Sequence, residues 1–162
     1  MFKAAVITCS DKGAKGKRID TSGPYIKEFL KNLNFYIIDQ TIISDDLKTI
    51  ENALIKYADH ENVDLIITTG GTGFSPRDNT PEATKKVIFR EIPGIGEMLR
   101  YESYKVTKKA YLSRGVSGIR NRTLIINLPG SLKAVKENLA CLDNVLDHGL
   151  KILKHLDTDC GE

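Results

Sequence analysis

The sequence predicts an α/β fold: an open, mostly parallel sheet with helices on both faces. Three observations carry this. Short β-branched and aliphatic runs alternate with segments of helical apolar spacing. The first run, Ala4-Ala5-Val6-Ile7-Thr8, has the unbroken apolar character of a strand buried on both faces of a parallel sheet. Near the C-terminus, two strand-like runs are separated only by Asn121-Arg122. That is too little chain for a parallel crossover, so one strand must run antiparallel.

The elements follow in order. After the first strand, Ser22-Gly23-Pro24 opens a helix, with Ser22 as N-cap and Pro24 in the first turn. Tyr25, Ile26, Phe29, Leu30 and Leu33 continue it at helical spacing. Tyr36 to Ile43 is aromatic and β-branched, hence a second strand. Ser44 is expected to end it and cap a helix whose apolar face is Leu47, Ile50, Leu54 and Tyr57. Asp64 to Thr69 is the third strand. Thr80-Pro81-Glu82 starts another helix, with Thr80 as cap, Pro81 in the first position and Glu82 complementing the dipole. Pro93 to Val106 reads as helix, Gly115 to Ile119 and Thr123 to Leu128 as strands. Ser131 begins a last helix with Val135, Leu139, Leu142, Leu146, Leu150 and Leu153 in one stripe. The last few residues are expected to fray.

Composition bounds the function. The 162 residues are the size of one domain, taken as 1–162, and 41% hydrophobic content is enough for a core. A net charge of +3 argues against a dedicated nucleic-acid binder. The basic run Lys12, Lys15, Lys17 and Arg18 is either a solvated loop or a neighbour of a phosphate. Cys9, Cys141 and Cys160 lack disulfide or zinc spacing, and no apolar run reaches the ~18 residues that span a bilayer. A reduced cytoplasm is the default compartment. The three histidines, His60, His148 and His155, read as structural, and none falls on a predicted strand end, which argues against a hydrolase triad.

In such sheets ligands bind beyond the carboxyl ends of the strands. That rule selects Cys9-Ser10-Asp11, Ser44-Asp45-Asp46, Gly70-Gly71-Thr72-Gly73 and Pro129-Gly130-Ser131. The glycine loop either makes a tight turn or turns its N–H groups outward as an anion site. It is neither a Walker A loop nor a dinucleotide fingerprint. Asp78, shortly after it, is unfavourable beside an anion unless it meets a cation or a ligand's donors. Asp45 and Asp46 serve either the following helix dipole or a Mg²⁺ ion. Ser131 is a cap, a phosphate ligand, or both. Ser10 and Asp11 make a turn, with Ser10 also able to donate to a phosphate. A nucleotide polyphosphate with magnesium accounts for amide nests and carboxylates together, because phosphoryl and nucleotidyl transfer need mainly positioning and charge neutralisation.

Several segments together carry a resemblance: Thr68-Thr69-Gly70-Gly71-Thr72-Gly73, Asp78-Asn79-Thr80-Pro81-Glu82-Ala83, Pro93-Gly94-Ile95-Gly96-Glu97-Met98 and Asn127-Leu128-Pro129-Gly130-Ser131. With Ser10-Asp11, Asp20-Thr21-Ser22-Gly23 and Asp45-Asp46, they resemble the ordered motifs of the MogA/MoaB family. One position departs: Ser44 stands where MogA-like members often carry proline. The resemblance implies a three-layer α/β/α molybdopterin-binding fold, usually a homotrimer and in some members a larger assembly such as a hexamer. It implies a molybdopterin adenylyltransferase, moving AMP from Mg·ATP to the molybdopterin phosphate with release of pyrophosphate. The product then passes to a separate molybdate-insertion enzyme. It matches Asp45 to metal and nucleotide chemistry and Asp78 to pterin binding and catalysis. Gly70, Gly71, Thr72, Gly73, Thr80, Pro129, Gly130 and Ser131 match the surrounding phosphate and substrate contacts. The alternative within the same resemblance is a MoaB-like protein that binds molybdopterin without adenylyl transfer. A scaffold without ligand is disfavoured by the retained aspartates and glycine loop. The molybdate-inserting enzyme itself is expected to carry further domains.

Overall fold

The structure, a computed structural model, describes residues 1–155 apart from the Asn144 side chain. Cys160 and the expected terminal fraying lie outside the described residues. Six strands form one sheet in the order β2-β1-β3-β6-β5-β4: β1 Lys3–Cys9, β2 Tyr36–Ile43, β3 Leu65–Thr69, β4 Arg90–Glu91, β5 Ser117–Arg120 and β6 Thr123–Leu128. The pairs β1–β2, β1–β3 and β3–β6 are parallel; β5 runs antiparallel to both β6 and β4. The short Asn121 turn accounts for that reversal, and Asn121 adopts φ 53° within it.

The helices are α1 Asp11–Ala14, α2 Ser22–Asn32, α3 Leu47–Ile55, α4 Thr80–Val87, α5 Pro93–Tyr104 and α6 Leu132–Leu153. A π-helical turn, Lys56–His60, continues α3, and a 3₁₀ turn, Lys108–Leu112, follows α5. Strand residues alternate between two cores. Ala4, Val6, Leu65, Ile67, Leu124, Ile126 and Leu128 pack with apolar residues of α2, α5 and α6. Ala5, Ile7, Cys9, Ile66 and Ile125 pack with those of α3 and α4. Both strand faces are therefore dry, which is why the central strands carry no alternating polar residues. The result is the expected three-layer α/β/α architecture.

Three expected caps move. Thr21 precedes α2, and the Asp20 carboxylate, not Ser22, takes its first amides: Oδ1 accepts from Ser22 N and Gly23 N at 3.0 Å each. Asp46, not Ser44, caps α3, accepting from the Thr49 amide at 2.9 Å. Asn79, not Thr80, precedes α4, because Thr80 turns its hydroxyl to the Gly70 carbonyl at 2.9 Å. Strand β5 begins two residues later than the apolar run suggests, since the Gly115 carbonyl accepts from Arg100 Nη1 at 2.9 Å instead of joining the ladder. Helix α5 stops at Tyr104, short of Val106, and Tyr101 is exposed rather than on its apolar side. The edge strand β4 has two exposed residues and no periodic pattern to reveal it.

Candidate functional site

Strand β1 is followed in the chain by β2 on one side of it and later by β3 on the other, so the sheet switches direction between β1 and β3. A crevice opens at such a switch, beyond the carboxyl ends of the strands. The turns after β1, β3 and β6 meet there. A cleft of about 210 Å³ is lined by Thr8, Ser10, Asp20, Asp45, Gly70, Gly71, Asp78 and Gly130, among others.

Glycine is required at its floor. Gly70 has φ +95°, and a Cβ there would meet the Cys9 carbonyl oxygen at 2.4 Å. Gly71 has φ +65°, and its Cβ would meet Thr80 Oγ1 at 2.4 Å. Side chains are excluded on both grounds, so the backbone itself forms the surface. Thr72 and Thr80 are buried beneath it. A polar network supports this floor from the sheet: Asn127 Nδ2 donates to Thr68 Oγ1 at 3.0 Å and Thr84 Oγ1 at 2.9 Å, and Thr84 Oγ1 donates to the Thr80 carbonyl at 2.8 Å.

The adjacent acids divide. Asp46 is consumed by its helix, and its hydrogen bonds from Thr49 hold its carboxyl below the ordinary range. Asp45 turns into the cleft. Burial, and then the charges of Asp11 and Asp78, push its carboxyl up, partly offset by the Asp11 amide. Asp11 lies outside the cleft lining but is tied to Asp45, and Arg77 grips its carboxylate through Nε at 2.9 Å and Nη2 at 3.0 Å. That grip holds the Asp11 carboxyl below the ordinary range. Asp78 folds back on its own loop, accepting from the Ser75 amide at 3.0 Å, while lining the cleft. The Cys9 thiol, buried beneath, is pushed up to about 12 mainly by desolvation, and is inert as a nucleophile.

Helix α2 enters the site through its first turn. Thr8 Oγ1 donates to Asp20 Oδ2 at 2.6 Å, and Ser22 Oγ donates to the Gly130 carbonyl at 2.9 Å. Ser131 caps α6, accepting from the Ala134 amide at 3.3 Å, and stands outside the cleft lining, as does Gly73. Pro129 lines a second, mainly apolar cavity of about 190 Å³ between α5 and α6, on the far side of the same turn. Of the basic run, only Arg18 reaches the cleft. Sequence reasoning read Asp20, Thr21 and Ser22 only as a helix start and part of a motif, gave Arg18 as one of a basic run that could neighbour a phosphate, and did not single out Thr8. The position of Thr8 and Asp20 at a strand end and a helix start could have found the first pair.

Among the described residues no group of three or more His, Cys, Asp or Glu is arranged to hold a metal. Nor is any described helix long and apolar enough to cross a membrane.

A family model described as "Probable molybdopterin binding domain" matches residues 5–148. The chain is 43% identical over 157 residues to the molybdopterin adenylyltransferase of Helicobacter pylori strain J99, covering 91% of this chain and 89% of the relative. It is 36% identical over 155 residues to that of Escherichia coli K12, covering 92% and 80%. Among solved structures, it resembles the molybdopterin biosynthesis enzyme MoaB of Thermus thermophilus, with a TM-score of 0.90, 44% identity and coverage of 96% and 98%.

Proposed function

We infer the function from one premise: the chain belongs to the molybdopterin-binding domain family of molybdenum cofactor biosynthesis. We propose that it is a single-domain molybdopterin adenylyltransferase. An oxygen of the molybdopterin phosphate attacks the α-phosphorus of ATP, the new P–O bond forms, the α–β P–O bond breaks, and pyrophosphate leaves. One juxtaposition supports this most: Asp45, Asp78, Gly70, Gly71 and Gly130, from three separate strand ends, line one cleft.

The residues divide the work. Gly70 and Gly71 supply a backbone surface that phosphates approach closely, with Thr72 and Thr80 beneath it and Gly73 continuing the loop toward Asp78. Pro129, Gly130 and Ser131 offer the start of α6, whose dipole favours an anion. Asp78 accepts hydrogen bonds from the pterin ring N–H groups, for which an ionised carboxylate is suited. Ser10 donates to a phosphate oxygen, and Asp11 holds Asp45 in place. Asp45 would hold Mg²⁺, an ion that needs only one or two carboxylates from the protein. The raised carboxyl of Asp45 fits that role, since burial among like charges is relieved by a cation. When bound, the ion neutralises polyphosphate charge. The nucleophile is already anionic, so the main barrier is repulsion between anions, and no general base is needed.

The same reading implies a cytoplasmic homotrimer that passes its product to a molybdate-inserting enzyme. The test incubates the purified chain with molybdopterin and Mg·ATP and follows pyrophosphate release and adenylylated product. Both are expected. Tight pterin binding without either product would leave the binding-only reading instead.

A further inference from the structure

We propose that Arg114 is a positioning residue for this reaction, fixing the glycine loop and Asp78 in their working geometry. The proposal deepens the adenylyl-transfer reading and rests on it. Arg114 lies between the 3₁₀ turn and β5, remote in sequence from the loop it holds. Its backbone amide donates to the Thr72 carbonyl at 2.9 Å. Its guanidinium then donates through Nε to the Gly73 carbonyl at 2.7 Å and through Nη2 to the Asp78 carbonyl at 2.7 Å. Nη1 pairs with the carboxylate of Glu82, in the first turn of α4.

One side chain thus clamps both ends of the 73–78 excursion and anchors it to the following helix. Fixing the carbonyls of Gly73 and Asp78 fixes the peptide planes on either side. It therefore sets where the Asp78 carboxylate and the loop amides point. The loop is otherwise exposed through residues 74–77, with Phe74 largely in solvent, so little packing could replace the clamp. The planar fork matters: three separate acceptors lie on three sides of one guanidinium, whereas a lysine ammonium is a single point on a flexible stem.

The experiment compares wild type, Arg114→Ala, Arg114→Lys and Arg120→Ala for AMP transfer, pterin affinity, KM for ATP and melting temperature. Arg120 is the control, because it makes comparable bonds to Asp59 and to the Val87 carbonyl at the opposite end of the sheet. Arg114→Ala is expected to lose about 10–100-fold in kcat/KM for molybdopterin, the usual consequence of removing a group that orients a ligand-binding residue. KM for ATP should move less than pterin affinity. Guanidinium ion should restore part of the loss, and Arg114→Lys should not. Arg120→Ala should lower the melting temperature without that kinetic loss. Wild-type kinetics in Arg114→Ala would overturn the proposal, as would an equal kinetic loss in Arg120→Ala. If wild type transfers no AMP, the adenylyl-transfer reading fails by itself, and pterin affinity alone still decides whether Arg114 positions the loop.

Discussion

Asp11 and Asp45 hold one another by reciprocal hydrogen bonds: the Asp11 amide donates to Asp45 Oδ2 at 2.7 Å, and the Asp45 amide donates to Asp11 Oδ1 at 3.0 Å. The pair staples the end of β1 to the end of β2 and brings two carboxylates together. Arg77 pairs with Asp11, whereas for Asp45 burial and the charges of Asp11 and Asp78 outweigh the relief from the Asp11 amide and Arg77. The two groups therefore have opposite relations to stability. The folded carboxyl of Asp45 is raised, so its share of stability is present at low pH and lost as pH rises through the raised value.

Asp45→Asn should accordingly raise the melting temperature of the ligand-free protein at pH 7. The amide oxygen still accepts from the Asp11 amide, so the staple survives. The same change should lower Mg²⁺-dependent AMP transfer by at least ~10²-fold, since metal stabilisation of developing charge contributes several kcal/mol. Melting curves and pyrophosphate release measure the two effects separately. Wild-type turnover would remove Asp45 as metal ligand.

Asn127→Leu tests the buried support of the glycine floor. The amide serves the Thr68 and Thr84 hydroxyls, and its oxygen accepts from the Val116 amide at 3.2 Å. A leucine of similar size removes the Asn127 partner of the Thr68 hydroxyl and the Val116 amide, while Thr84 keeps its bond to the Thr80 carbonyl, and each unsatisfied buried group costs roughly 1–3 kcal/mol. The expected fall in melting temperature is at least ~2 °C. An unchanged melting temperature would show that the network contributes nothing.

Much of the fold and cleft is legible in the sequence because it is local or periodic. The parallel strands declare themselves by apolar runs, and the switch-point rule then selects the cleft turns. What escapes has a common physical cause. Ser44, Asp46, Thr80 and Asn79 are all acceptable capping residues, and the choice among them depends on what else each side chain reaches. Thr80 reaches Gly70, and Asp46 reaches Thr49. Arg114 escapes for the same reason. Its acceptors are backbone carbonyls 36 and 41 residues away, which leave no pattern in sequence. The split of Asp45 from Asp46 is equally a matter of tertiary reach.

Gly70→Ala and Gly16→Ala separate backbone strain from collision. Both glycines adopt positive φ, +95° and +67°, but a Cβ at Gly16 meets nothing within 4 Å, whereas at Gly70 it meets the Cys9 carbonyl at 2.4 Å. Gly16→Ala should cost about 1 kcal/mol for left-handed backbone alone. Gly70→Ala adds displacement of β1 from β3, so it should cost well beyond that and abolish transfer. Chemical denaturation of both variants checks the ranking. Equal losses would show that the Cys9 contact is easily relieved.

The last test lies at the other end of the sheet, where Arg120 grips Asp59 through Nε at 2.9 Å and Nη2 at 2.5 Å, with Asn121 Nδ2 adding a bond at 2.8 Å. This clamp joins the β5–β6 turn to the π-helical turn after α3. Arg120 first, and Asn121 less, hold the Asp59 carboxyl below its ordinary value. The folded value is depressed, so ionised Asp59 adds stability that is complete above the unfolded carboxylate value of ~3.9 and lost as pH falls through the folded value. Asp59→Asn should therefore melt below wild type at pH 7, with the gap narrowing as pH falls beneath ~4. The gap for Asp45→Asn has the opposite sign and grows as pH rises. AMP transfer in Asp59→Asn should remain at the wild-type rate, because no residue of the cleft touches Asp59. A gap independent of pH would mean that the Asp59 charge is not what Arg120 stabilises.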